Sequence, residues 1–489
     1  MKNKKYLEFL FLIILGALTS LSLPPYNYLF INFITIGLFF IYIYQKKRFG
    51  KKQNSFLYGW FFGFGYFLSN LYWITISLTF DENFNFLIPF ALFLIPLFLG
   101  TFYGLATYCF FIINIKKPVS NLFLFSLLFG ITEFLRGNIL TGFPWNLIAF
   151  SFSENLEILQ ILSFIGTYSF NILCITFFAS PAIFILRENR KEIFICVIFL
   201  LSPIILFSSG SSNIKSFQLS KVINNDYVIR VIGSNIELNR FYGNSDTTEV
   251  INELIEISRP DQKTKIIFLW PEGIIPNVSQ TEFAEFEFLF NEKFNKNHLL
   301  VIGINSYEKN NDKDYFYNTI SLYDHRLDLI KDYKKVKLVP FGEFLPFEKI
   351  LRKIGLKSLT NNYQSFSSGK NRKILSIDTD SFDLEILPLI CYEIIYSGNI
   401  FKNSKFDYII NVSEDGWFGD SIGPHQHFTH SVFRAIESGK YLLRSANNGI
   451  SAIINPTGSI ENKIEFGHSG FIDFKDKKFF KETIFSKYG

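Results

Sequence analysis

The sequence has few cysteines. Only 4 of its 489 residues are cysteine, and neither Cys-x-x-Cys nor a Cys/His ligand spacing occurs. The sequence therefore indicates neither a disulfide framework nor a zinc site, and we predict no metal or other cofactor. Cys109, Cys174 and Cys196 lie inside apolar runs, where a free thiol packs as a small hydrophobe. Cys391 is the only cysteine outside the apolar half, which makes it the candidate nucleophile.

Charge is scarce as well. Charged residues make up 19% of the chain and hydrophobic residues 48%, which is typical of a polytopic membrane protein rather than a soluble one. The apolar excess lies before about residue 210, and the remainder is long enough to form its own core. The net charge is only +5 and the second half has no basic run, so nucleic acid is not an expected partner.

Long apolar runs fill residues 1–209, which we predict to be a transmembrane domain of about seven helices. Each run is near or above the ~18–20 residues that span a bilayer. The first resembles a signal peptide, but no small-residue cleavage site follows and a second run begins at once. The predicted spans are 6–23, one starting near 28, 56–80, 86–115, 121–140, 157–186 and 193–208.

Basic residues follow alternate spans. They are Lys46-Lys47-Arg48 after the second, Lys116-Lys117 after the fourth, and Arg187 with Arg190-Lys191 after the sixth. Basic loops mark the cytoplasmic side, so the N-terminus is predicted to be cytoplasmic. Seven crossings then place everything after about residue 210 in the periplasm of a bacterium, beside the inner membrane.

Within the spans, Glu133 and Arg136 are the notable ionisable pair. One interpretation is an i,i+3 ion pair at a helix end that snorkels to the interface, and the other is an arginine facing a lipid phosphate. The sequence does not separate them. The spans hold no chain of buried charges, which counts against a transporter.

From residue 227 the pattern alternates short β-branched runs with amphipathic stretches, which predicts a layered α/β domain over 227–475. A linker rich in Ser, Asn and Lys is predicted at 209–226, and 476–489 forms a tail. Predicted strands are 228–233, 265–270, 299–305, 317–323, 327–334, 406–412 and 450–455. Predicted helices are 247–258, 281–295 and 427–439.

Three polar residues follow apolar strands, where α/β folds present catalytic groups: Glu272, Lys335 and Cys391. Singly, each is more simply explained as a rim residue or a core thiol. Together they suit acyl transfer: a carboxylate takes the thiol proton, an ammonium stabilises an oxyanion, and the cysteine carries the acyl group. A Cys/His alternative uses His425, His427 and His430, for which capping or surface roles are the simpler explanation.

The motifs Trp270-Pro-Glu272, Tyr333-x-Lys335 and Cys391-Tyr-Glu393 resemble the carbon–nitrogen hydrolase (nitrilase-like) superfamily, which implies an αββα sandwich and a Glu-Lys-Cys triad. Almost the whole chain is similar to the bacterial apolipoprotein N-acyltransferase family. The further segments that carry this resemblance are Gly142-Phe-Pro-Trp-Asn146, Leu338-Val-Pro-Phe-Gly-Glu343, Asp415-Gly-Trp-Phe-Gly-Asp420 and Arg444-Ser-Ala-Asn447.

This resemblance implies a ping-pong reaction in which Cys391 takes an acyl chain from a phospholipid, typically phosphatidylethanolamine, as a thioester. The α-amino group of a lipoprotein's diacylglyceryl-cysteine then accepts the chain. Glu272 is the implied general base and acid, and Lys335 stabilises the oxyanion. Supporting roles fall to four residues: Glu343 and Glu393 as further carboxylates, and Tyr392 and Trp417 lining the site.

The match to the family is incomplete in places. Phe241 and Glu414 stand where relatives usually have tryptophan and asparagine, and the usual last membrane span is missing from the tail. The stretch 345–366 corresponds to an arm over the site and is either lipid-contacting or a solvated helix. Two rival functions remain: a membrane-anchored amidase or nitrilase with the same triad, and a transporter or receptor whose periplasmic domain only binds ligand.

Overall fold

The structure is a computed structural model that describes residues 2–50, 52–241, 245–310, 313–351, 353, 365–398 and 405–489. The chain divides into two compact units. The first comprises Met1–Ser216, Asp420–Thr429 and Thr483–Gly489, and the second comprises Phe217–Gly419 and His430–Glu482. The predicted catalytic range 227–475 thus belongs to the second unit except for Asp420–Thr429.

The first unit is helical and the second is mainly sheet. Helices of the first unit are α1 (Lys2–Thr19), α2 (Ile31–Arg48), α3 (Ser55–Leu71), α4 (Ile88–Ile112), α5 (Pro118–Asn138), α6 (Leu156–Leu159), α7 (Leu162–Ala179), α8 (Ile183–Leu186) and α9 (Lys191–Gln218). Later helices are α10 (Thr247–Ser258), α11 (Glu348–Leu351), α12 (Gly423–Ser438) and α13 (Ile484–Tyr488).

Several of these helices are suited to a bilayer. Among the described residues, 5 helical segments are long and apolar enough to cross a membrane. They are Lys5–Ser22, Glu82–Ile112, Pro118–Asn138, Leu162–Leu186 and Lys191–Gln218. The other two predicted spans coincide with α2 and α3, which have 18 and 17 residues. The apolar helices therefore indicate a membrane protein, and the total of seven membrane spans stays a prediction.

Three predicted segments differ from the structure. The predicted span 56–80 is α3 followed by a 3-10 helix at Tyr72–Leu78. The predicted linker 209–226 is wrong, because α9 continues to Gln218 and the first strand begins at Val222. The predicted helix 281–295 is instead a 3-10 helix, Glu282–Leu289, followed by turns. In each case the tertiary context overrides the local helix propensity, which is only a weak guide to helix formation.

A buried ion pair joins α5 to the segment that follows it. Arg136 Nε donates to Glu133 Oε2 at 2.6 Å, Tyr103 donates to Glu133 Oε1 at 2.6 Å, and both charged residues are buried. The guanidinium also donates to the carbonyls of Phe143 and Asn146. The ion-pair interpretation is therefore right, but the pair does not snorkel, and the buried guanidinium has no exposed face for a lipid phosphate.

Two six-stranded sheets form the second unit. The first has the order β12-β1-β2-β3-β4-β5 and the second β11-β10-β9-β8-β7-β6. Their bounds are β1 (Val222–Gly233), β2 (Ile266–Trp270), β3 (His298–Asn310), β4 (Lys313–Tyr323), β5 (Leu329–Lys334), β6 (Leu375–Asp378), β7 (Asp383–Ile390), β8 (Tyr408–Glu414), β9 (Tyr441–Asn447), β10 (Ser451–Ile454), β11 (Ile460–Ile464) and β12 (Gly470–Lys478).

Side chains that alternate along β2 show how the layers pack. Ile267 and Leu269 belong to a buried cluster shared with strands β7 and β8 of the other sheet. Phe268 and Trp270 point the opposite way and pack against α10. A strand with both faces buried consists of consecutive apolar residues, and this is why β2 could be predicted from the sequence. The layered α/β sandwich predicted from the sequence is confirmed.

Candidate active site

Glu272, Lys335 and Cys391 each follow the end of a strand. Glu272 comes two residues after β2, Lys335 directly after β5, and Cys391 begins the 3-10 helix Cys391–Ile395 directly after β7. Parallel pairing of β7 with β8 sets Ile390 beside Val412, so their carboxyl ends meet at one edge. Gly303 of β3 makes room there, since a Cβ at that position would lie 2.4 Å from Glu272 Cα.

Lys335 connects two carboxylates. Its Nζ lies 3.1 Å from Glu272 Oε1 and 2.9 Å from Glu343 Oε1, and its side chain is 1% exposed. Burial by itself would lower the pKa of Lys335, but the negative charges of Glu272 and Glu343, with Cys391, outweigh it and raise the pKa. The ammonium is therefore permanently charged at neutral pH and is fixed between the two carboxylates.

Asn318 of β4 completes this arrangement and was not found by sequence reasoning. Its Nδ2 donates to Glu272 Oε1 at 2.7 Å and to Glu343 Oε1 at 2.9 Å. Its backbone carbonyl accepts the Lys335 N–H at 2.9 Å. Asn318 is one of several polar residues in β4, so the sequence of the strand does not single it out, and its distance from the other site residues is not visible in the chain. Glu343 is held further by the Val339 N–H, 2.8 Å from Oε2.

Cys391 is buried and conformationally strained. Its φ is 45°, a left-handed value that is uncommon for residues other than glycine and that often marks a functional site. Burial raises the pKa of the Cys391 thiol well above its ordinary value, and the charges of Glu272 and Asp415 add to the rise. Lys335 and a hydrogen bond with Ser413 act in the opposite direction. The resting group is a thiol, which requires a base to become a nucleophile.

Glu393 joins the two loops that carry Lys335 and Cys391. Its Oε1 accepts the backbone N–H groups of Val336 and Lys337, at 3.0 and 3.2 Å, and its Oε2 accepts that of Ile390 at 3.0 Å. The Tyr333 hydroxyl and Arg372 also bind this carboxylate. Glu393 is fully buried, and its contacts hold main chain in place. These contacts are those of a structural carboxylate, whose partners are Arg372, the Tyr333 hydroxyl and backbone N–H groups.

The two predicted aromatic residues take different positions. Tyr392 is 5% exposed and packs edge-to-face on Tyr396, with the ring centroids 5.6 Å apart. Trp417 is half-buried and stacks on Phe241 at a centroid distance of 5.8 Å. Phe241 is the residue that replaces the usual tryptophan, and it occupies that position with an aromatic ring. The structure thus places Trp417 in a stack beside the 3-10 helix Leu238–Phe241.

The Cys/His alternative stays a prediction. His427 stacks on Trp145 at 5.3 Å within the helical unit. The charges that shift the pKa of Cys391 include those of Glu272, Lys335 and Asp415. Across the described ranges, no group of three or more His, Cys, Asp or Glu residues is arranged to hold a metal ion. Much of the predicted arm, residues 352 and 354–364, lies outside the described residues.

Protein-family models match both the helical half and the α/β half of the chain. Residues 15–180 match the model of the apolipoprotein N-acyltransferase N-terminal domain, and residues 237–468 match the carbon–nitrogen hydrolase model. Among solved structures, a Saccharomyces cerevisiae member of branch 10 of the nitrilase superfamily aligns with 51% of this chain and 89% of its own, at 16% identity and a TM-score of 0.35. An amidase from Nesterenkonia sp. aligns with 53% and 92%, at 15% identity and a TM-score of 0.36.

Curated relatives extend over nearly the whole chain. An apolipoprotein N-acyltransferase of Rhodopseudomonas palustris is 31% identical over 97% of this chain and 90% of its own length. The Rickettsia typhi protein of the same name is 31% identical over 97% and 93%, and that of Bradyrhizobium diazoefficiens 32% over 97% and 90%. These matches show that the chain belongs to the apolipoprotein N-acyltransferase family.

Proposed function

We propose that this chain transfers an acyl chain from a phospholipid to the α-amino group of the diacylglyceryl-cysteine that begins an apolipoprotein. The observation that carries the proposal is the position of Lys335, whose ammonium lies between Glu272 and Glu343 and acts electrostatically on Cys391. A cysteine, a carboxylate and a fixed ammonium at one sheet edge suit acyl transfer through a covalent intermediate. The relatives' name supplies the acceptor class.

In the first half-reaction Glu272 removes the Cys391 proton as the sulfur attacks the ester carbonyl of the phospholipid. The carbonyl oxygen becomes an oxyanion, which the Lys335 ammonium stabilises. The ester C–O bond then breaks, and protonated Glu272 returns its proton to the leaving alkoxide. A thioester on Cys391 and a lysophospholipid result, and Glu272 is again a carboxylate.

In the second half-reaction the lipoprotein amine attacks the thioester. Glu272 takes a proton from the attacking nitrogen, and Lys335 again stabilises the oxyanion. The C–S bond breaks and the thiolate regains the proton from Glu272. Because burial raises the pKa of the Cys391 thiol, the protonated leaving group is strongly favoured, so acyl transfer restores the resting enzyme.

The phospholipid donor and the site of the reaction are further parts of the proposal. Apolar helices in the same chain favour a donor that lies in the bilayer, and phosphatidylethanolamine is the donor that we expect. The basic loops after alternate spans support a bacterial inner-membrane protein with a cytoplasmic N-terminus and a periplasmic catalytic unit. Glu343 and Glu393 are proposed as supporting carboxylates, and Tyr392 and Trp417 as side chains lining the site.

The proposal is tested with purified protein in vesicles that contain phosphatidylethanolamine with a labelled acyl chain. We expect label on the protein that hydroxylamine removes, as it removes a thioester, and loss of this label in Cys391→Ser. Cys109→Ser is the matched control, because Cys109 lies in α4, and it should label like the wild type. Label that persists in Cys391→Ser would exclude the cysteine as the acyl carrier.

A second step separates the acyltransferase from an amidase with the same triad. The labelled protein is incubated with a synthetic diacylglyceryl-cysteine peptide that has a free amine, or with the same peptide acetylated on that amine. Label should move to the free-amine peptide alone. Release of labelled fatty acid at equal rates with both peptides would instead indicate water as the acceptor and favour the amidase.

A further inference from the structure

A second buried ion pair, Arg240 with Glu414, lies behind the candidate general base. The contacts of Glu272 divide between its two oxygens. Oε1 faces Lys335 and Asn318, whereas Oε2 accepts the backbone N–H of Glu414 at 2.9 Å. The orientation of the Glu272 carboxylate therefore depends on where the main chain at the end of β8 is held.

The Glu414 side chain holds that main chain. Its Oε2 accepts from the Arg240 guanidinium and from Asn447 Nδ2 at 2.8 Å, and its Oε1 accepts the Gly416 N–H at 2.9 Å. Arg240, Glu414 and Asn447 are 1%, 2% and 0% exposed. A buried carboxylate with a charged partner and two further donors has one well-determined position, because any displacement leaves charge unpaired.

Arg240 and Asn447 are themselves fixed. Arg240 Nη1 donates to the carbonyl of Glu237 at 2.9 Å, and the guanidinium lies 4.3 Å from the centre of the Phe241 ring. Asn447 accepts the Ile236 N–H at 2.9 Å and donates to the Ile236 carbonyl at 2.8 Å. The segment after β1 is thereby connected through Glu414 to the carboxylate of Glu272.

From this connection we propose that Arg240 and Glu414 are positioning residues, which fix the general base Glu272 through the Glu414 main chain. The inference rests on the proposed function, in which Glu272 transfers the proton. Neither side chain touches the reacting atoms. Loss of either one should lower the rate of proton transfer without weakening the binding of the phospholipid.

Kinetics of thioester formation give the first test. Glu414→Gln and Arg240→Gln should lower the maximal rate of Cys391 acylation by about 10- to 100-fold, as expected for a catalytic group displaced by a fraction of an ångström to an ångström. The KM for labelled phosphatidylethanolamine should change by less than about twofold, since ground-state binding is untouched. Arg240→Lys keeps a charge beside Glu414 and should recover part of the rate.

Arg230 supplies a matched control. It forms an ion pair with Asp473 at 2.7 Å and bonds to the carbonyls of Ser258 and Arg259, none of which belongs to the proposed machinery. Arg230→Gln removes an arginine from an ion pair in the same unit, and its acylation rate should stay near that of the wild type. Equal rate losses in Arg230→Gln and Arg240→Gln would show that general destabilisation explains the effect and would overturn the proposal.

A double-variant cycle then asks whether Glu414 acts through Glu272. The pH profile for alkylation of Cys391 by iodoacetamide is measured by mass spectrometry of the Cys391 peptide, in protein that retains its folded thermal transition. Glu414→Gln should move the midpoint to lower pH while Glu272 is present. The displaced Glu272 carboxylate then raises the pKa of the Cys391 thiol by less. In the Glu272→Gln background the same substitution should move it by much less.

The outcomes distinguish this inference from the proposed function. Wild-type protein that takes no acyl label contradicts the proposed function, whereas the alkylation cycle still reports on positioning. Full acylation rates in Glu414→Gln, or equal midpoint shifts in both backgrounds, overturn the positioning role. If Glu414→Gln does not fold, Arg240→Lys is carried through the same cycle. Its midpoint shift should be larger in the Glu272 background than in the Glu272→Gln background, and a shift that is equal or smaller there would overturn the proposal.

Discussion

At the scale of single residues, the two carboxylates of the site share one amide. Asn318 Nδ2 donates to both Glu272 and Glu343, and Lys335 bonds to the same two oxygens. Two carboxylates at this spacing repel one another unless positive charge and hydrogen-bond donors lie between them. Asn318 thus supplies hydrogen-bond donors to both carboxylates, while Lys335 supplies the positive charge between them.

Replacing Asn318 by aspartate should strongly lower the rate of Cys391 acylation. Asn318→Asp substitutes a third carboxylate for the donor, and we expect acylation of Cys391 to fall by at least about 100-fold, because the base and the ammonium lose their fixed geometry. The rate of thioester formation is the measurement. Asn462→Asp, on the exposed strand β11, is the control and should leave that rate unchanged. Similar losses in the two variants would contradict the role given to Asn318.

The pH dependence of Cys391 follows from its surroundings. Its pKa lies well above the ordinary value of 9.0, chiefly because of burial, so at neutral pH almost no thiolate exists. Alkylation of Cys391 should therefore rise with pH through a midpoint above 9.0. The charge of Glu272 contributes to the raised pKa and that of Lys335 opposes it. Hence Glu272→Gln should lower the midpoint and Lys335→Met should raise it, as measured from the alkylated Cys391 peptide. A wild-type midpoint below neutral pH would be inconsistent with this environment.

At the scale of elements, the site depends on how the ends of β5 and β7 are joined. Glu393 binds the backbone beyond β5 and the last residue of β7, and Arg372 and Tyr333 bind Glu393 in turn. In the sequence, Glu393 was identified by the motif Cys391-Tyr-Glu393, and the family resemblance implied only that it is a supporting carboxylate. Its structural task arises because two strands of different sheets end beside one another.

Removing this carboxylate should destabilise the second unit. Glu393→Ala leaves several buried donors and Arg372 without their acceptor, and we expect a loss of about 3 kcal/mol in the free energy of unfolding. Urea unfolding followed by tryptophan fluorescence gives the measurement. The control is Glu308→Gln, which breaks an exposed ion pair with Lys334 and should change stability by less than about 0.5 kcal/mol. Equal losses in the free energy of unfolding would show that the contacts of Glu393 stabilise the second unit no more than an exposed ion pair does.

At the scale of the whole molecule, the proposed orientation in the membrane gives a direct prediction. Alkaline phosphatase fused after residue 219 should be active in a bacterial host, since that enzyme folds only in the periplasm, and green fluorescent protein fused there should be dark. The reverse pattern is expected for fusions after residue 52, which follows the first basic loop. Activity and fluorescence of expressed fusions are measured in whole cells. A fluorescent fusion after residue 219 would place the catalytic unit in the cytoplasm.

The sequence alone predicted the helical and α/β halves of the chain and named the candidate reacting residues. Apolar runs identified the helical half, and buried strands such as β2 and β8 were visible as short runs rich in β-branched and aromatic residues. Glu272, Lys335 and Cys391 could be named because each follows such a strand and stands in a short motif. These features are local in the chain, so that composition and spacing are sufficient to show them.

Tertiary structure alone decided which side chains hold the reacting residues. Asn318 and Glu272 are separated by 46 positions and Arg240 and Glu414 by 174, and only the pairing of strands brings them within hydrogen-bonding distance. The same holds for Arg136, whose burial could not be separated from an interfacial position by composition. Burial and long-range pairing are properties of the packed chain, because a buried charge is tolerated only where folding supplies its partner.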